Sequence, residues 1–206
     1  IAQPDPQDIV VDIGSNDCTL LNFYQKKLRL VGFEPAKNIK FIDEGKNIKI
    51  FKNYFNAQNF KENFNKKAKI ITSCAMFYDL ENPKKFVSDI KDILDEDGIW
   101  CVQVSYLALM IKNLNFYDIC HEHLSYYSIY TFDKLIKQFN LKIFYAETNA
   151  VNGGSIRFYV CKNKCNQYDK KKFQAELTKL FKEEEKYHLN DERTFLNFQK
   201  KIDELK

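Results

Sequence analysis

The residues with most chemistry to offer fall in two short stretches. The first is "VDIGSNDCTLL", residues 11–21, where Gly14 closes an apolar run and Ser15, Asn16 and Asp17 follow. A residue without Cβ lets backbone come close to a ligand. Asp12, Ser15, Asn16 and Asp17 can hold an ammonium or a carboxylate. Glu34 stands twenty residues after Gly14, the spacing at which a carboxylate accepts hydrogen bonds from a ribose diol. The second stretch is "CHEHLSYY", residues 120–127. Histidine titrates near neutrality and suits a general base at carbon or oxygen, with a neighbouring carboxylate to orient it. Adjacent side chains diverge, so His121 and His123 share a direction only in an extended segment. One is expected to be catalytic and the other structural. Taken alone, such a pair is more often polar cover for a core. As a zinc site it lacks a third ligand beyond the adjacent Cys120, so no metal is expected.

The elements that must position these residues can be read from periodicity. Apolar, β-branched runs at 9–14, 29–35, 48–55, 68–76 and 99–107 read as strands. Helices are expected after 18, over 36–45 with Gly45 as the stop, over 82–98 between Pro83 and Gly98, and over 130–140. Strands at 141–148 and 155–163, joined by "NAVNGG", should pair as a hairpin with one antiparallel strand at the sheet edge. The alternation is that of a doubly wound, Rossmann-like α/β fold with a mostly parallel sheet. Ligands of such folds lie beyond the carboxyl ends of the strands. Residues 167–206 are charged and helix-forming. The expected division is a binding domain over 1–165 and a helical extension over 166–206.

The cofactor follows from what the loop lacks. A dinucleotide's pyrophosphate needs the second and third glycines of G-x-G-x-x-G and a helix N-terminus. Those places hold Asn16 and bulkier residues. S-adenosylmethionine carries no phosphate, and the one-glycine loop with a terminal hairpin favours it over NAD. Composition narrows the rest. The chain has 206 residues, 45% of them apolar, and a net charge of +4 without a basic stripe, so neither disorder nor nucleic-acid binding is indicated. No apolar run reaches membrane-spanning length. The six cysteines include no C-x-x-C and read as reduced cytoplasmic thiols, Cys161 and Cys165 among them. His188 reads as solvated. The chain begins at Ile1 and is read as a fragment or a processed form.

The segments "VDIGSNDCTLL", "GFEPAKNI", "SCAMFYDLENPKKFVSDIKDILDEDGIW", "YDICHEHLSYYS" and "NGGSIRFYV", in this order and at these distances, closely resemble the C-methyltransferases of nucleotide-linked deoxysugars. That family serves bacterial antibiotic sugars and surface polysaccharides. The resemblance spans roughly residues 9–163. It implies an S-adenosylmethionine site made by Asp12, Gly14, Ser15, Asn16, Asp17, Glu34, Pro35, Phe55, Ser73, Ala75, Met76 and Tyr78. It implies Glu122 and His123 as the acid–base pair with His121 beside them, and Tyr106, Tyr126, Ser155 and Arg157 toward the acceptor. The chain departs from the family at Cys18, where glycine is usual, at Tyr78 in place of a histidine, and at Cys120 in place of a tyrosine. Full-length members add an N-terminal zinc-binding region and a C-terminal domain, both expected outside this chain.

Overall fold

The computed structural model describes residues 1–42 and 44–205. Among them the strands are β1 (Ile9–Ile13), β2 (Arg29–Phe33), β3 (Lys49–Phe51), β4 (Ala68–Cys74), β5 (Leu94–Ser105), β6 (Leu141–Asn149) and β7 (Ser155–Lys162). They form one sheet in the order β3-β2-β1-β4-β5-β7-β6. From β3 to β5 every pairing is parallel, and β7 runs antiparallel to both of its neighbours. The helices are α1 (Thr19–Asn22), α2 (Ala57–Asn63), α3 (Pro83–Ile93), α4 (Leu107–Asn113), α5 (Ile129–Lys137), α6 (Lys171–Glu185) and α7 (Glu192–Asp203).

The larger core lies on the sheet face that carries Val11, Ile13, Trp100, Val102 and Phe158, under α2, α3 and α5. Trp100 is fully buried between Phe77 and Phe132, at 5.7 and 5.8 Å between ring centres. Phe132 stacks flat on Phe158 at 4.3 Å. Each such side chain contributes about 1.5–3 kcal/mol by leaving water. Helix α3 forms because Asn82 caps the Lys85 amide, Pro83 occupies the first turn, and Phe86, Val87, Ile90 and Ile93 share the inward face. Helix α5 starts on a reciprocal Ser128–Thr131 capping box. Helix α6 lays Leu177, Leu180 and Phe181 against the same core. The other sheet face is split. Val10, Cys18, Leu21, Leu28, Leu30 and Ile70 form a small cluster under α1, while Thr72, Gln103 and Arg157 make a polar stripe across β4, β5 and β7.

The doubly wound, Rossmann-like architecture expected from the sequence is the observed one, with three local corrections. The antiparallel strand is not at the edge: β7 fills the gap between β5 and β6, so β6 is the outer strand. Both strands of a hairpin carry the same period-2 signal, and only the packing decides which is inside. The helix expected over 36–45 is absent among the described residues of that span. Its backbone is tied to α1 instead: the Ile42 amide donates to the Asp17 carbonyl at 2.8 Å, and Asn22 Nδ2 donates to the Ile42 carbonyl at 2.7 Å. The helix expected to run to Gly98 stops at Ile93, and β5 begins at Leu94 with a register break against Ala68 and Ile70. Gly98 is the close-approach residue of that bulge, since a Cβ there would lie 2.9 Å from the Ala68 carbonyl.

Candidate functional site

The carboxyl ends of β1, β2 and β4 lie side by side, at the place where the strand order reverses between β1 and β4. The loop after β1 turns there because Gly14 and Asn16 adopt left-handed backbone, with φ of 72° and 48°. Cys18 does so too, at φ 70°, which explains why glycine is the easier residue at that position. The turn is pinned by Glu34. Its two carboxylate oxygens accept the amides of Asn16 and Ala36 at 2.9 and 2.8 Å. Asp17 caps the Thr19 amide at 2.9 Å, and the Thr19 hydroxyl, with that amide second, holds its carboxyl below the usual range. Ser15 is buried against Gly32, where a Cβ would meet its Oγ at 2.6 Å.

Asp12 is buried under this loop and accepts the Thr72 hydroxyl at 2.5 Å. Burial pushes its carboxyl up to about 7; the Thr72 hydrogen bond opposes that and the Glu34 charge adds to it. After β4 the chain turns through Ala75, at φ 53°, an uncommon conformation for a residue with a Cβ. The Ala75 amide donates to the Gln103 carbonyl at 3.0 Å, and Met76 lies over Gly14. Pro35 and Phe55 are half-buried at the rim, Phe55 edge-on to Phe33 at 5.2 Å. Ser73 faces the other way. It is fully buried and its Oγ accepts the Trp100 indole at 2.9 Å, so it is part of the core.

These residues fit S-adenosylmethionine. A carboxylate at the end of β2 still has lone pairs for a diol, a bare Cα at Gly14 leaves room for the ligand, and Asp12 lies close behind. Nothing in the loop makes a pyrophosphate cradle, since α1 is a single turn and its first amide, that of Thr19, is already taken by the Asp17 carboxylate.

Tyr78 links this loop to the histidine block. The Ser125 amide donates to the Tyr78 carbonyl at 3.1 Å, and the His123 ring packs on the Tyr78 ring at 4.2 Å. Burial pushes the Tyr78 hydroxyl up to about 12. His123 Nδ1 lies 2.9 Å from the Asp118 carbonyl oxygen. That oxygen can only accept, so Nδ1 carries the proton and Nε2 is left as an acceptor. The Tyr126 hydroxyl donates to the same carbonyl at 3.3 Å. Glu122 does not orient His123. Its side chain is 65% exposed and faces His121 Nε2 at 3.4 Å, and His121 is itself 90% exposed. The expectation of a structural partner ring is therefore corrected at His121, whose exposed side chain lies beside the Glu122 carboxylate. In the place expected of Glu122 stands Asp118. Its signal in the sequence was an acid five residues before the histidine.

Three residues assigned to the acceptor are engaged elsewhere. Tyr106 is buried and its hydroxyl donates to Glu184 of α6 at 2.9 Å. The Ser155 hydroxyl donates to the Val151 carbonyl at 2.8 Å and closes the hairpin loop. Arg157 lies on the polar stripe, donating to Gln103 Oε1 at 2.8 Å and to Glu147 at 3.1 Å. Beside that stripe, at the carboxyl end of β5, the buried Ser105 hydroxyl has no partner among the described residues. Among the described residues no cluster of His, Cys, Asp or Glu could hold a metal.

Comparison with known proteins agrees with the fold. Residues 2–146 match the family described as methyltransferase domain, and residues 150–206 match a C-methyltransferase C-terminal domain. The second match begins in the terminal hairpin, so the C-terminal region expected outside the chain starts within it. The C-methyltransferase NovU of Streptomyces niveus is 29% identical over 152 residues, which cover 72% of this chain and 36% of that protein. The chain thus spans little more than a third of that relative's length. Two solved structures share the fold. One is an S-adenosylmethionine-dependent methyltransferase from Clostridium acetobutylicum, with TM-score 0.58, 14% identity, and 75% of this chain and 84% of that one covered. The other is a complex of a Haloferax volcanii methyltransferase with its Trm112 activator, with TM-score 0.60, 12% identity, and 77% and 84% covered. With the loop, its carboxylate and the fold in agreement, the chain belongs to the S-adenosylmethionine-dependent methyltransferase family.

Proposed function

We propose that this chain is the catalytic part of a C-methyltransferase that acts on a nucleotide-activated sugar or a closely related small polar acceptor. The setting we infer is the synthesis of a bacterial surface polysaccharide or secondary metabolite in the cytoplasm. Residues 1–165 form its binding unit and 166–206 its helical extension. The observation that carries the reading is His123, held through Nδ1 with Nε2 left as an acceptor, on the tyrosine that follows the Gly14–Met76 contact.

S-adenosylmethionine, when bound, supplies an electrophilic methyl group. A carbon acceptor must lose a proton to attack it. Nε2 of His123 would take that proton, and the electron pair left on carbon would bond the methyl as the sulfonium–methyl bond breaks and the neutral thioether leaves. The ring is kept in place by the Asp118 carbonyl on one side and the Tyr78 face on another. Glu34 and Gly14 serve the cofactor. The named C-methyltransferase relative and the C-terminal family match support carbon as the methylated atom.

The test is incubation of the full-length protein with labelled S-adenosylmethionine and a panel of nucleotide sugars, read by mass spectrometry and carbon NMR. Methyl on carbon, with loss of the deuteron placed there beforehand, is the expected product. Methyl on oxygen or nitrogen would favour a heteroatom methyltransferase on the same scaffold. Cofactor binding without any product across acceptor classes would favour a non-catalytic module. His123→Ala should lower turnover by ~10²–10⁴-fold with cofactor affinity nearly unchanged.

A further inference from the structure

We propose that Asp118 is the residue that positions His123, and that Glu122 is not. The inference rests on the reading of His123 as base and deepens it. Asp118 closes the Phe116–Asp118 turn and is 9% exposed. It presents two groups to one ring nitrogen: the carbonyl oxygen at 2.9 Å and carboxylate Oδ1 at 3.7 Å from His123 Nδ1. The carbonyl selects the tautomer. The carboxylate puts a negative charge behind the ring, where it stabilises the imidazolium that forms once Nε2 takes a proton. The histidine side chain is 17% exposed, so water screens this charge only in part. The neighbours complete the hold. Tyr78 covers one ring face, and Tyr126 shares the Asp118 carbonyl. Asp79 is the other acid that feels the His123 charge; burial raises its carboxyl and His123 lowers it, and its exposed side chain leaves it the weaker partner.

This arrangement has the parts of an acid–histidine pair in a hydrolase, with base and orienter supplied by one loop of five residues' separation. Removing the charge while keeping the shape should leave the tautomer, which the main-chain carbonyl holds, and take away the support of the imidazolium. In Asp118→Asn the ring proton stays on Nδ1, and Nε2 holds a captured proton less tightly, which blunts it as a base.

The experiment needs no acceptor. The chain has three histidines, so nitrogen-15 ring spectra of the protein are assigned with His121→Gln and His188→Gln. Wild type should show His123 with its proton on Nδ1. Diethyl pyrocarbonate, which acylates a bare ring nitrogen, should modify His123 readily. In Asp118→Asn the proton should remain on Nδ1, while the charged ring should lose its Nε2 proton about one pH unit lower than in wild type, a tenfold fall in proton affinity followed in the same spectra. Asp118→Ser keeps a short polar residue in the turn and should show the same fall, which covers the case in which the asparagine variant folds poorly. Glu122→Gln should leave the His123 titration at its wild-type position. A wild-type titration in both Asp118 variants, or a shift of that size in Glu122→Gln instead, would overturn the proposal. Failure of the base reading is separate: it shows as His123→Ala turnover near wild type while the Asp118 effects on the ring persist.

Discussion

Glu184 offers the sharpest test of how the carboxyl-terminal helices are joined to the rest. Its side chain comes from α6, is 6% exposed, and accepts three hydrogen bonds. Two are from the Ile129 and Tyr130 amides at 2.6 and 3.1 Å, and one is from the Tyr106 hydroxyl at 2.9 Å. Ile129 and Tyr130 open α5, where the amides have no partner inside the helix and the macrodipole favours negative charge. Tyr106 follows the last residue of β5, so one carboxylate joins α6, α5 and the sheet. Burial and the Glu184 charge together raise the Tyr106 hydroxyl well above the ordinary tyrosine value. Glu184→Ala leaves three donors stranded, of which those of Ile129 and Tyr106 are buried. At about 1.5–3 kcal/mol for each bond to a charged acceptor, discounted for non-additivity and entry of water, the loss should be about 3–5 kcal/mol. Glu184→Gln keeps one oxygen and should cost about 1–3 kcal/mol. Urea unfolding followed by the single, buried Trp100 reads the change. With a slope of about 2–3 kcal/mol per molar, the midpoint of Glu184→Ala should fall by roughly 1–2 M. A cycle with Tyr106→Phe should show a coupling of about 1 kcal/mol. A midpoint within the scatter of wild type, or strict additivity in the cycle, would show that the three contacts do not act through this carboxylate.

Asp12, with its carboxyl pushed up to about 7, holds a proton in the folded chain that the unfolded chain releases above about 4. Stability should therefore fall as pH rises between those values and level off above about 7, by at most about 4 kcal/mol. Asp12→Asn should flatten that slope in urea titrations at pH 5, 6, 7 and 8; an unchanged slope would remove Asp12 as its source. Gly14→Ala forces a Cβ onto left-handed backbone and within 3.4 Å of Met76 Cγ, so it should cost about 1–2 kcal/mol of stability. It should also weaken S-adenosylmethionine in calorimetry, and full affinity would mean that the loop does not approach the ligand. Glu34→Gln keeps one amide acceptor of the loop but loses the charge, and should weaken the same ligand by about 1–3 kcal/mol; an equal dissociation constant would release Glu34 from the diol.

Much of the fold was legible in the residues alone because its signals are local. The buried runs of β1, β2, β4 and β5, the Asn82–Pro83 start of α3 and the hairpin after Asn149 each announce themselves within a few positions. Gly14 and Glu34 were legible as a pair for the same reason, since a strand, a turn and the next strand set their distance. What the sequence could not supply was direction across the molecule. Period-2 patterning does not say that β7 rather than β6 is the inner strand, and it puts Thr72 and Ser73 on opposite faces without saying which of them meets Asp12 and which the Trp100 core. Nor does adjacency say which acid serves a histidine. Glu122 is next to His123 in sequence and turned to solvent, while Asp118 reaches it because the Phe116–Asp118 turn folds back beneath the ring. Tyr106 and Ser155 looked free for an acceptor until α6 and the hairpin loop claimed their hydroxyls. A buried hydroxyl takes whatever partner the packing brings to it, and that partner comes from residues 78 positions away for Tyr106, a distance over which no local pattern carries information.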